Sequence, residues 1–124
     1  MKVTEIAFSV YPVTDMERAR AFYEGVFGLV PTTAYEMPNG SAWTEYEIGA
    51  GTLALGKYHD WSPTSEGANI ALEVDQYDDA ISQLRTADIN FRMGPLETPV
   101  CHMAMVSDPE GNTLIIHKRK PAHS

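Results

Sequence analysis

Residues 13–29, VTDMERARAFYEGVFGL, contain the start, the buried face and the end of one predicted helix. Thr14 and Asp15 supply the N-cap, because a short polar side chain there can accept a hydrogen bond from a free N–H group of the first turn. Gly25 and Gly28 are typical of a helix end. Between cap and end, apolar residues recur at spacings of three and four, which places them on one helical face. They are Met16, Ala19, Phe22, Tyr23 and Val26.

The same order of elements occurs a second time in the chain. When the sequence is aligned with itself so that Ala80 falls on Ala19, Thr113 falls on Thr52 and Lys118 on Lys57. We call this the repeat alignment, and internal repetition of this kind indicates a duplicated structural unit. In each half an apolar strand leads into an amphipathic helix, and three more strands follow. The sequence therefore predicts two βαβββ modules. Their boundaries are module 1 at 1–58, a linker at 59–67, module 2 at 68–119 and a tail at 120–124.

Strand and turn signals flank both predicted helices. Pro38–Ser41 and Asp108–Asn112 have the composition of tight turns. Trp61 in the linker is large and apolar, so it either caps the core or lies at the mouth of a pocket. The apolar face of the second helix consists of Tyr77, Ala80, Ile81 and Leu84. The predicted strands are Ile6–Val13, Ala42–Ile48, Thr52–Tyr58, Ala68–Val74, Val100–Val106 and Thr113–His117, with extended segments at Pro31 and Phe91.

Length and charge exclude several classes of protein. A chain of 124 residues has the size of one domain, and no apolar run approaches the roughly 18 residues of a membrane span. Nine basic and 17 acidic residues give a net charge of −8, which disfavours nucleic acid because its phosphates would be repelled. The single cysteine, Cys101, cannot form an intrachain disulfide. Since the N-terminus has no signal-peptide pattern, the sequence predicts a cytoplasmic protein.

Two motifs in this sequence resemble a known family. The first motif runs from Val13–Met16 through Phe22–Tyr23 to Gly28–Leu29, and the second is Asp108–Asn112 near the C-terminus. Together they resemble the vicinal oxygen chelate superfamily. That superfamily groups glyoxalase I, ring-cleaving dioxygenases, fosfomycin-resistance transferases and bleomycin-resistance proteins. The resemblance implies an α+β fold in one domain over 1–124, with two βαβββ modules forming a curved, cup-like mixed sheet. It also implies helices on the outside and, usually, a homodimer.

Enzymes of this family typically hold a divalent metal with His and Glu side chains from four strands. Counting from the two motifs, the resemblance puts ligand positions at Phe8 and Ile115, and the repeat alignment adds Asn69 and Ala54. None of these residues has the imidazole or carboxylate donors that such a metal prefers. We therefore expect no metal and no other cofactor. The alternative, a displaced divalent-metal site, would use His102, His117, Glu45 and Glu47.

The predicted lining of the cup follows from strand alternation, since successive side chains point to opposite faces of a sheet. Ile70, Leu72 and Val74 form the apolar set expected against a helix, so the intervening side chains face the cup. Trp43 is one of several aromatic and methionine side chains in the sequence that can add to this lining. The ligand-binding candidates are Phe8, Trp43, Asn69, Glu73, Thr113, Ile115 and His117. This mostly apolar lining predicts a small, largely hydrophobic organic ligand, and the net charge of −8 favours a neutral or cationic one.

The leading interpretation is that the protein sequesters this ligand without chemistry, in the manner of bleomycin-resistance proteins. Two alternatives stay open. One is an enzyme, either a glyoxalase-type lyase or isomerase with a rearranged site or a metal-free acid–base catalyst using His117 or His102 with a glutamate. The other alternative is a protein-interaction module whose cup is filled by Phe8 and Trp43. Independently of these alternatives, Cys101 beside His102 is either a buried small residue or a nucleophile. The expected partners are a small molecule and a second copy of the chain, with no nucleic acid and no membrane.

Overall fold

The computed structural model describes Lys2, residues 4–67 and residues 69–121 of the 124-residue chain. Ala68, the predicted first residue of module 2, and residues 122–124 of the predicted tail lie outside the described residues. Neither helix in the described part of the chain has the length and apolar character needed to cross a membrane.

Contacts between residues divide the chain into two compact units, unit 1 at Met1–Pro63 and unit 2 at Thr64–Ser124. The boundary lies within the segment 59–67 that the sequence predicts as a linker. Among the described residues, each unit contains one α-helix and one four-stranded mixed sheet, called sheet 1 and sheet 2. The α+β fold and the two βαβββ modules predicted from the sequence are confirmed.

Unit 1 consists of β1 (Ser9–Pro12), α1 (Met16–Gly25), β2 (Pro31–Glu36), β3 (Ala42–Ile48) and β4 (Gly51–Lys57). The strand order is β1-β4-β3-β2, with β1 parallel to β4 and the other neighbours antiparallel. The first strand is shorter than the predicted Ile6–Val13, because it pairs with β4 over only four residues. Asp15 caps α1 as predicted, since its carboxylate accepts a hydrogen bond from the Arg18 backbone N–H at 3.0 Å.

Unit 2 consists of β5 (Ile70–Glu73), α2 (Tyr77–Thr86), β6 (Phe91–Glu97), β7 (Cys101–Ser107) and β8 (Thr113–Arg119). Its strand order is β5-β8-β7-β6, with β5 parallel to β8, so it repeats the topology of unit 1. β8 continues past the predicted end at His117 to Arg119, because Arg119 still pairs with Cys101 of β7.

The two units follow the repeat alignment in most of their elements. It relates β1 to β5 and α1 to α2, and it also relates the pairing of β1 with β4 to that of β5 with β8. β3 and β7 depart from it by one position, since Glu45 pairs with Ala54 whereas Met105, and not Val106, pairs with Ile115. The turn before β8, residues 108–112, is also longer than the turn before β4, residues 49–50.

The longer turn of unit 2 is organised by the buried carboxylate of Asp108, which is 4% exposed. This carboxylate accepts hydrogen bonds from the backbone N–H groups of Glu110 and Asn112, each at 2.9 Å, and from the Asn112 side-chain amide at 3.0 Å. The tighter turn of unit 1 has Gly49 at a φ of 58°, a conformation that glycine adopts without a steric penalty. One turn thus depends on a side chain and the other on backbone freedom.

Each sheet has one face packed by the helix of its own unit. In unit 1 the buried hydroxyl of Tyr46 donates to the Glu24 carboxylate of α1 at 2.9 Å, and Arg20 donates to the same carboxylate at 2.6 Å. Burial raises the pKa of Tyr46, and the hydrogen bond from Arg20 lowers the pKa of Glu24. The buried core side chains include Tyr11, Val13, Phe22, Tyr23, Leu53 and Leu55 in unit 1 and Ile81, Leu84, Ala104, Val106, Leu114 and Ile116 in unit 2. We call the opposite face of each sheet its helix-free face.

Candidate functional site

Four aromatic side chains follow one another on the helix-free face of sheet 1. Phe8 meets Trp43 edge to face with ring centroids 5.3 Å apart. Trp43 lies 6.2 Å from Tyr58, and Tyr58 lies 4.8 Å from Trp61. We call these four residues the aromatic row. Aromatic rings at such separations stabilise one another beyond the area they bury, and the row includes the predicted candidates Phe8 and Trp43.

Gly56 makes room for the aromatic row. It pairs with Trp43 of β3 and with Pro12 of β1. A Cβ atom at Gly56 would lie 2.8 Å from the Trp61 ring and 3.2 Å from the Trp43 ring, and both distances are shorter than the roughly 3.5–4.0 Å of ordinary carbon contacts. The two indole rings therefore approach the backbone where no side chain stands. The sequence left two roles open for Trp61, a cap on the core or a residue at the mouth of a pocket. In the structure, Trp61 packs on Gly56 and on Tyr58.

Trp43 is oriented by a polar contact on its own strand. Its indole Nε1 donates to the Glu45 carboxylate at 3.0 Å. Tyr35 pairs with Trp43 across β2 and β3 and is half exposed, so it extends the same face. Glu45 is one of the residues of the alternative metal site, and in the structure its carboxylate accepts the hydrogen bond from the Trp43 indole.

The helix-free face of sheet 2 has a different surface. As the alternation predicts, Asn69, Ala71 and Glu73 are exposed, whereas Ile70 and Leu72 on the other side of the strand are half-buried. Pairing with β8 and β7 brings an isoleucine, a histidine and two methionines to the same face. These neighbours are Ile115, His117, Met103 and Met105.

Glu73 and His117 form a polar pair on this face. The Nδ1 atom of His117 lies 2.6 Å from Oε1 of Glu73, and Oε2 of Glu73 accepts a hydrogen bond from the Arg119 backbone N–H at 2.8 Å. The bond from Arg119, followed by that to His117, holds the pKa of Glu73 below its ordinary range. A carboxylate on one ring nitrogen fixes the orientation of an imidazole and leaves Nε2 as the nitrogen that can meet a ligand.

Thr113, another predicted ligand-binding residue, lies beneath a loop of its own unit. It is 2% exposed, and its hydroxyl donates to the Ser65 carbonyl at 3.2 Å. The backbone N–H of Thr64 also donates to the Asn112 side chain at 3.1 Å. The segment 64–65 therefore covers the start of β8, and Thr113 contacts this segment.

The other two reactive candidates, His102 and Cys101, have partners of their own. His102 packs against Tyr77 of α2 with ring centroids 5.3 Å apart, which puts it on the helix side of sheet 2. Cys101 is 6% exposed, and its Sγ atom lies 3.1 Å from the Thr98 hydroxyl oxygen. This environment is that of a buried small residue.

Metal donors are not gathered in the described part of the chain. There, no three His, Cys, Asp or Glu side chains lie together in an arrangement that could hold a metal ion. Among the residues of the alternative metal site, His117 contacts a glutamate, but that glutamate is Glu73. The four positions implied by the family resemblance hold Phe8, Ala54, Asn69 and Ile115. These side chains do not fit the His and Glu donor set of the family's metal.

Sequence reasoning missed Gly56 and Tyr58 as parts of the candidate site. Both follow the apolar run Leu53–Leu55, and a glycine inside a strand signals that something approaches the backbone closely. That signal marks the position. It does not identify Trp43 and Trp61 as the approaching groups, because their approach depends on strand register and on the path of the linker.

A family model described as Glyoxalase/Bleomycin resistance protein/Dioxygenase superfamily matches residues 5–116. A search of curated protein sequences found no match. The chain is similar to the crystal structure of TnmS3, an antibiotic binding protein from Streptomyces sp. CB03234, with a TM-score of 0.80 and 24% identity over 97% of this chain and 99% of that chain.

Two further solved structures have the same fold. A glyoxalase/bleomycin resistance protein from Streptomyces sp. CB03234 has a TM-score of 0.73 and 25% identity, covering 90% of this chain and 98% of that chain. The fosfomycin resistance protein FosX from Listeria monocytogenes has a TM-score of 0.79 and 11% identity, covering 96% of each chain. These likenesses extend over nearly the whole length of both units.

Proposed function

The chain belongs to the Glyoxalase/Bleomycin resistance protein/Dioxygenase superfamily, and we propose that it binds small, largely hydrophobic organic molecules, with the helix-free face of each sheet considered by itself as a candidate surface. The aromatic row of sheet 1 is the observation that carries this proposal. Structures of the same fold described as an antibiotic binding protein and as a fosfomycin resistance protein support an organic small molecule as the class of ligand.

The aromatic row favours a flat, conjugated ligand. Phe8 and Trp61 are 46% and 40% exposed, and apolar area removed from water contributes about 25 cal/mol per Å². Trp43 is already oriented by its hydrogen bond to Glu45, so a ligand that stacks on it orders few additional rotamers. On an apolar surface of this kind, a small number of polar groups fix the orientation of the ligand.

For a ligand on the separate surface of sheet 2, we assign an apolar contact to Ile115 and polar contacts to Asn69, Glu73 and His117. Asn69 and Glu73 are exposed, and His117 is half-buried on the same face. Few polar groups on a mostly apolar surface orient a ligand without dominating its affinity. Thr113 is left out of this assignment because its hydroxyl contacts Ser65.

We further propose that binding needs no metal and no other cofactor. The four positions at which the family places metal ligands carry an aromatic ring, a methyl group, an amide and an aliphatic chain. Metal analysis of protein purified without chelators tests this. Stoichiometric Ni, Zn, Mn or Fe, with ligand binding lost on its removal, would contradict the proposal.

Binding of 1-aminoanthracene, a flat neutral probe, tests the assignment to the aromatic row by equilibrium dialysis. We expect Trp43→Ala to weaken binding by about 30-fold, the size typical of a central aromatic contact. Val30→Ala removes an exposed apolar side chain outside the row in the same unit and should leave binding unchanged. Equal losses in the two variants would overturn the assignment.

A second candidate function, metal-free acid–base catalysis, is favoured by the contact between Glu73 and His117. A carboxylate-oriented imidazole is suited to moving a proton next to a carbonyl group. Turnover of the methylglyoxal–glutathione hemithioacetal tests this candidate. It predicts activity that is lost in His117→Gln and retained in His59→Gln, since His59 is an exposed histidine paired with Asp60.

The proposal also includes a homodimer, as the family resemblance implies, that acts in the cytoplasm. Light scattering of the purified protein measures the oligomeric state, and a monomeric mass at micromolar concentration would contradict it. Fractionation of cells expressing the chain checks the compartment.

A further inference from the structure

A pocket of about 610 Å³ opens at one end of sheet 1, where β1 and β4 finish and β3 begins. It is lined by the residues after β1 at 13–14, by the turn residues 39–41 and by the end of β4 with the segment that follows it, 57–59 and Trp61. The pocket shares Tyr58 and Trp61 with the aromatic row. It lies at the strand ends, whereas the row lies on the sheet face.

The charge of this pocket is opposite to that of the chain. The protein has 17 acidic residues, but none of them is among the described residues that line the pocket. Lys57 lines it and has no ion-pair partner in the part of the chain that the structure describes. His59 also lines the pocket, and its Nδ1 atom lies 2.7 Å from the carboxylate of Asp60, which is not among the lining residues. With histidine counted as neutral, the ammonium group of Lys57 is the formal charge among the described residues that line the pocket.

The hydroxyl of Ser41 is the second component of the pocket. Ser41 is 7% exposed and lines the pocket. Its backbone groups are bonded to Asn39 and Met37, but its hydroxyl makes no hydrogen bond within residues 4–67 and 69–121. Since every buried side-chain N or O atom in the described part of the chain has a partner, this hydroxyl oxygen is accessible to solvent. A hydroxyl on such a residue that opens into a pocket is suited to a ligand oxygen.

The third component is an aromatic wall. Tyr58 and Trp61 pack with ring centroids 4.8 Å apart, and Trp61 keeps 40% of its surface exposed. An exposed indole edge or face beside a cation and a hydroxyl suits a molecule that has a flat ring and an anionic oxygen group on the same scaffold.

We infer that this pocket binds small aromatic carboxylates, with the carboxylate on Lys57 and the Ser41 hydroxyl and the ring against Trp61. The site shares Trp61 with the aromatic row, but its polar groups, Lys57 and Ser41, lie outside the row, so the inference does not rest on ligand binding by the sheet face. The net charge of −8 predicts a neutral or cationic ligand for the whole chain. Within the pocket the nearest charge decides, because salt screens more distant charges over roughly 8–10 Å.

Calorimetric titration with 2-naphthoate tests the assignment. We expect saturable one-to-one binding, and Lys57→Gln should weaken it by about tenfold, the loss of one charge-assisted contact. Lys57→Arg keeps the charge and should bind within about threefold of the native chain. Lys118→Gln removes the same charge from unit 2 and is the matched control, with no change expected. Ser41→Ala should weaken binding by about threefold through the lost hydroxyl.

Two further probes identify which part of the ligand is recognised. The neutral amide 2-naphthamide should bind at least about tenfold more weakly than 2-naphthoate, since it lacks the charge that Lys57 pairs with. Equal binding of the amide, unchanged binding by Lys57→Gln or the absence of saturable binding would each overturn the proposal. Displacement of 2-naphthoate by a lower concentration of inorganic phosphate would make this a phosphate site and would also overturn it. Circular dichroism of each variant verifies that it is folded.

Discussion

Sheet 1 pairs Pro12 with Gly56 where sheet 2 pairs Glu73 with His117, and the repeat alignment places one pair on the other. In sheet 1 neither residue extends a long side chain over the helix-free face, so two indole rings occupy the space. In sheet 2 the same place is filled by a carboxylate and an imidazole in contact. Trp43 itself corresponds to Met103, because β7 departs from the repeat alignment by one position.

The faces of the two sheets that pack against the helices also differ in their side-chain contacts. Tyr46 of unit 1 donates to Glu24, whereas the corresponding positions in unit 2 hold Val106 and Arg85. Arg85 lies over the Phe91 ring at 5.2 Å instead. Backbone topology and strand pairing are thus repeated closely, but each unit supplies its own side-chain contacts. A repeated fold fixes where side chains stand and leaves their chemistry free.

The largest effect is expected at the turn that is longer in unit 2. Asp108→Ala removes the acceptor of three hydrogen bonds and should lower the free energy of unfolding by about 3 kcal/mol. Urea denaturation measures it. Asp75→Ala, which removes an exposed carboxylate from the same unit, should cost less than about 0.5 kcal/mol. A loss below about 1 kcal/mol in Asp108→Ala would mean that the longer turn does not depend on its carboxylate.

Gly56→Ala is expected to have the next largest effect. The added methyl group would lie within 2.8 Å of Trp61 and 3.2 Å of Trp43, and overpacking of this kind costs about 2 kcal/mol. The change should also weaken 1-aminoanthracene binding, because both rings must move. Gly25→Ala is the control, since a Cβ atom there meets nothing within 4 Å. If both variants unfold at the same urea concentration, the rings do not rest on Gly56.

Tyr46→Phe tests the contact between helix and sheet that is present in unit 1 and absent at the corresponding described positions of unit 2. Loss of the hydroxyl that donates to the ionised Glu24 should lower the free energy of unfolding by about 1.5 kcal/mol, as measured in urea. Tyr35→Phe removes a hydroxyl from a half-exposed tyrosine and should change it by less than about 0.5 kcal/mol. Equal effects would show that the hydrogen bond to Glu24 adds nothing to burial of the ring.

The smallest effect is a pH dependence that the matching pair of sheet 1 cannot have, because Pro12 and Gly56 do not titrate. The pKa of Glu73 is lowered in the folded chain, chiefly by the Arg119 N–H and then by His117. Its contribution to stability is therefore complete above the ordinary carboxyl pKa of 4.5 and is lost as the pH falls through the lower folded pKa. Glu73→Gln should reduce the loss of stability between pH 5 and pH 3 in urea denaturation. An unchanged acid slope would contradict the role given to this pair.

Local signals in the sequence were sufficient for most of the fold. Asp15 identified the start of α1 through its capping chemistry, and the turn residues at Pro38–Ser41 identified the start of β3 at the predicted Ala42. Strand alternation correctly separated Asn69, Ala71 and Glu73 from the residues on the helix side. These features depend on neighbours within a few residues, so one sequence contains them.

The candidate site was less predictable because it depends on contacts between distant residues. Phe8 and Trp43 are far apart in sequence and meet only through the registers of β1, β4 and β3. Glu73 and His117 were both expected on one face, but their contact required the pairing of β5 with β8. The burial of Thr113 depends on the segment 64–65, whose path has no periodic signal. Alternation predicts the face on which a side chain lies, whereas register decides what it contacts.

Both tryptophans of the chain, Trp43 and Trp61, lie over Gly56 in unit 1. The intrinsic ultraviolet emission of the protein above the tyrosine band therefore comes from one half of the molecule. An unfolding transition followed by that emission reports unit 1, while the far-ultraviolet signal of the backbone reports both halves. Coincident midpoints in the two signals would mean that the halves unfold as one cooperative body, and separated midpoints would give the order in which they unfold.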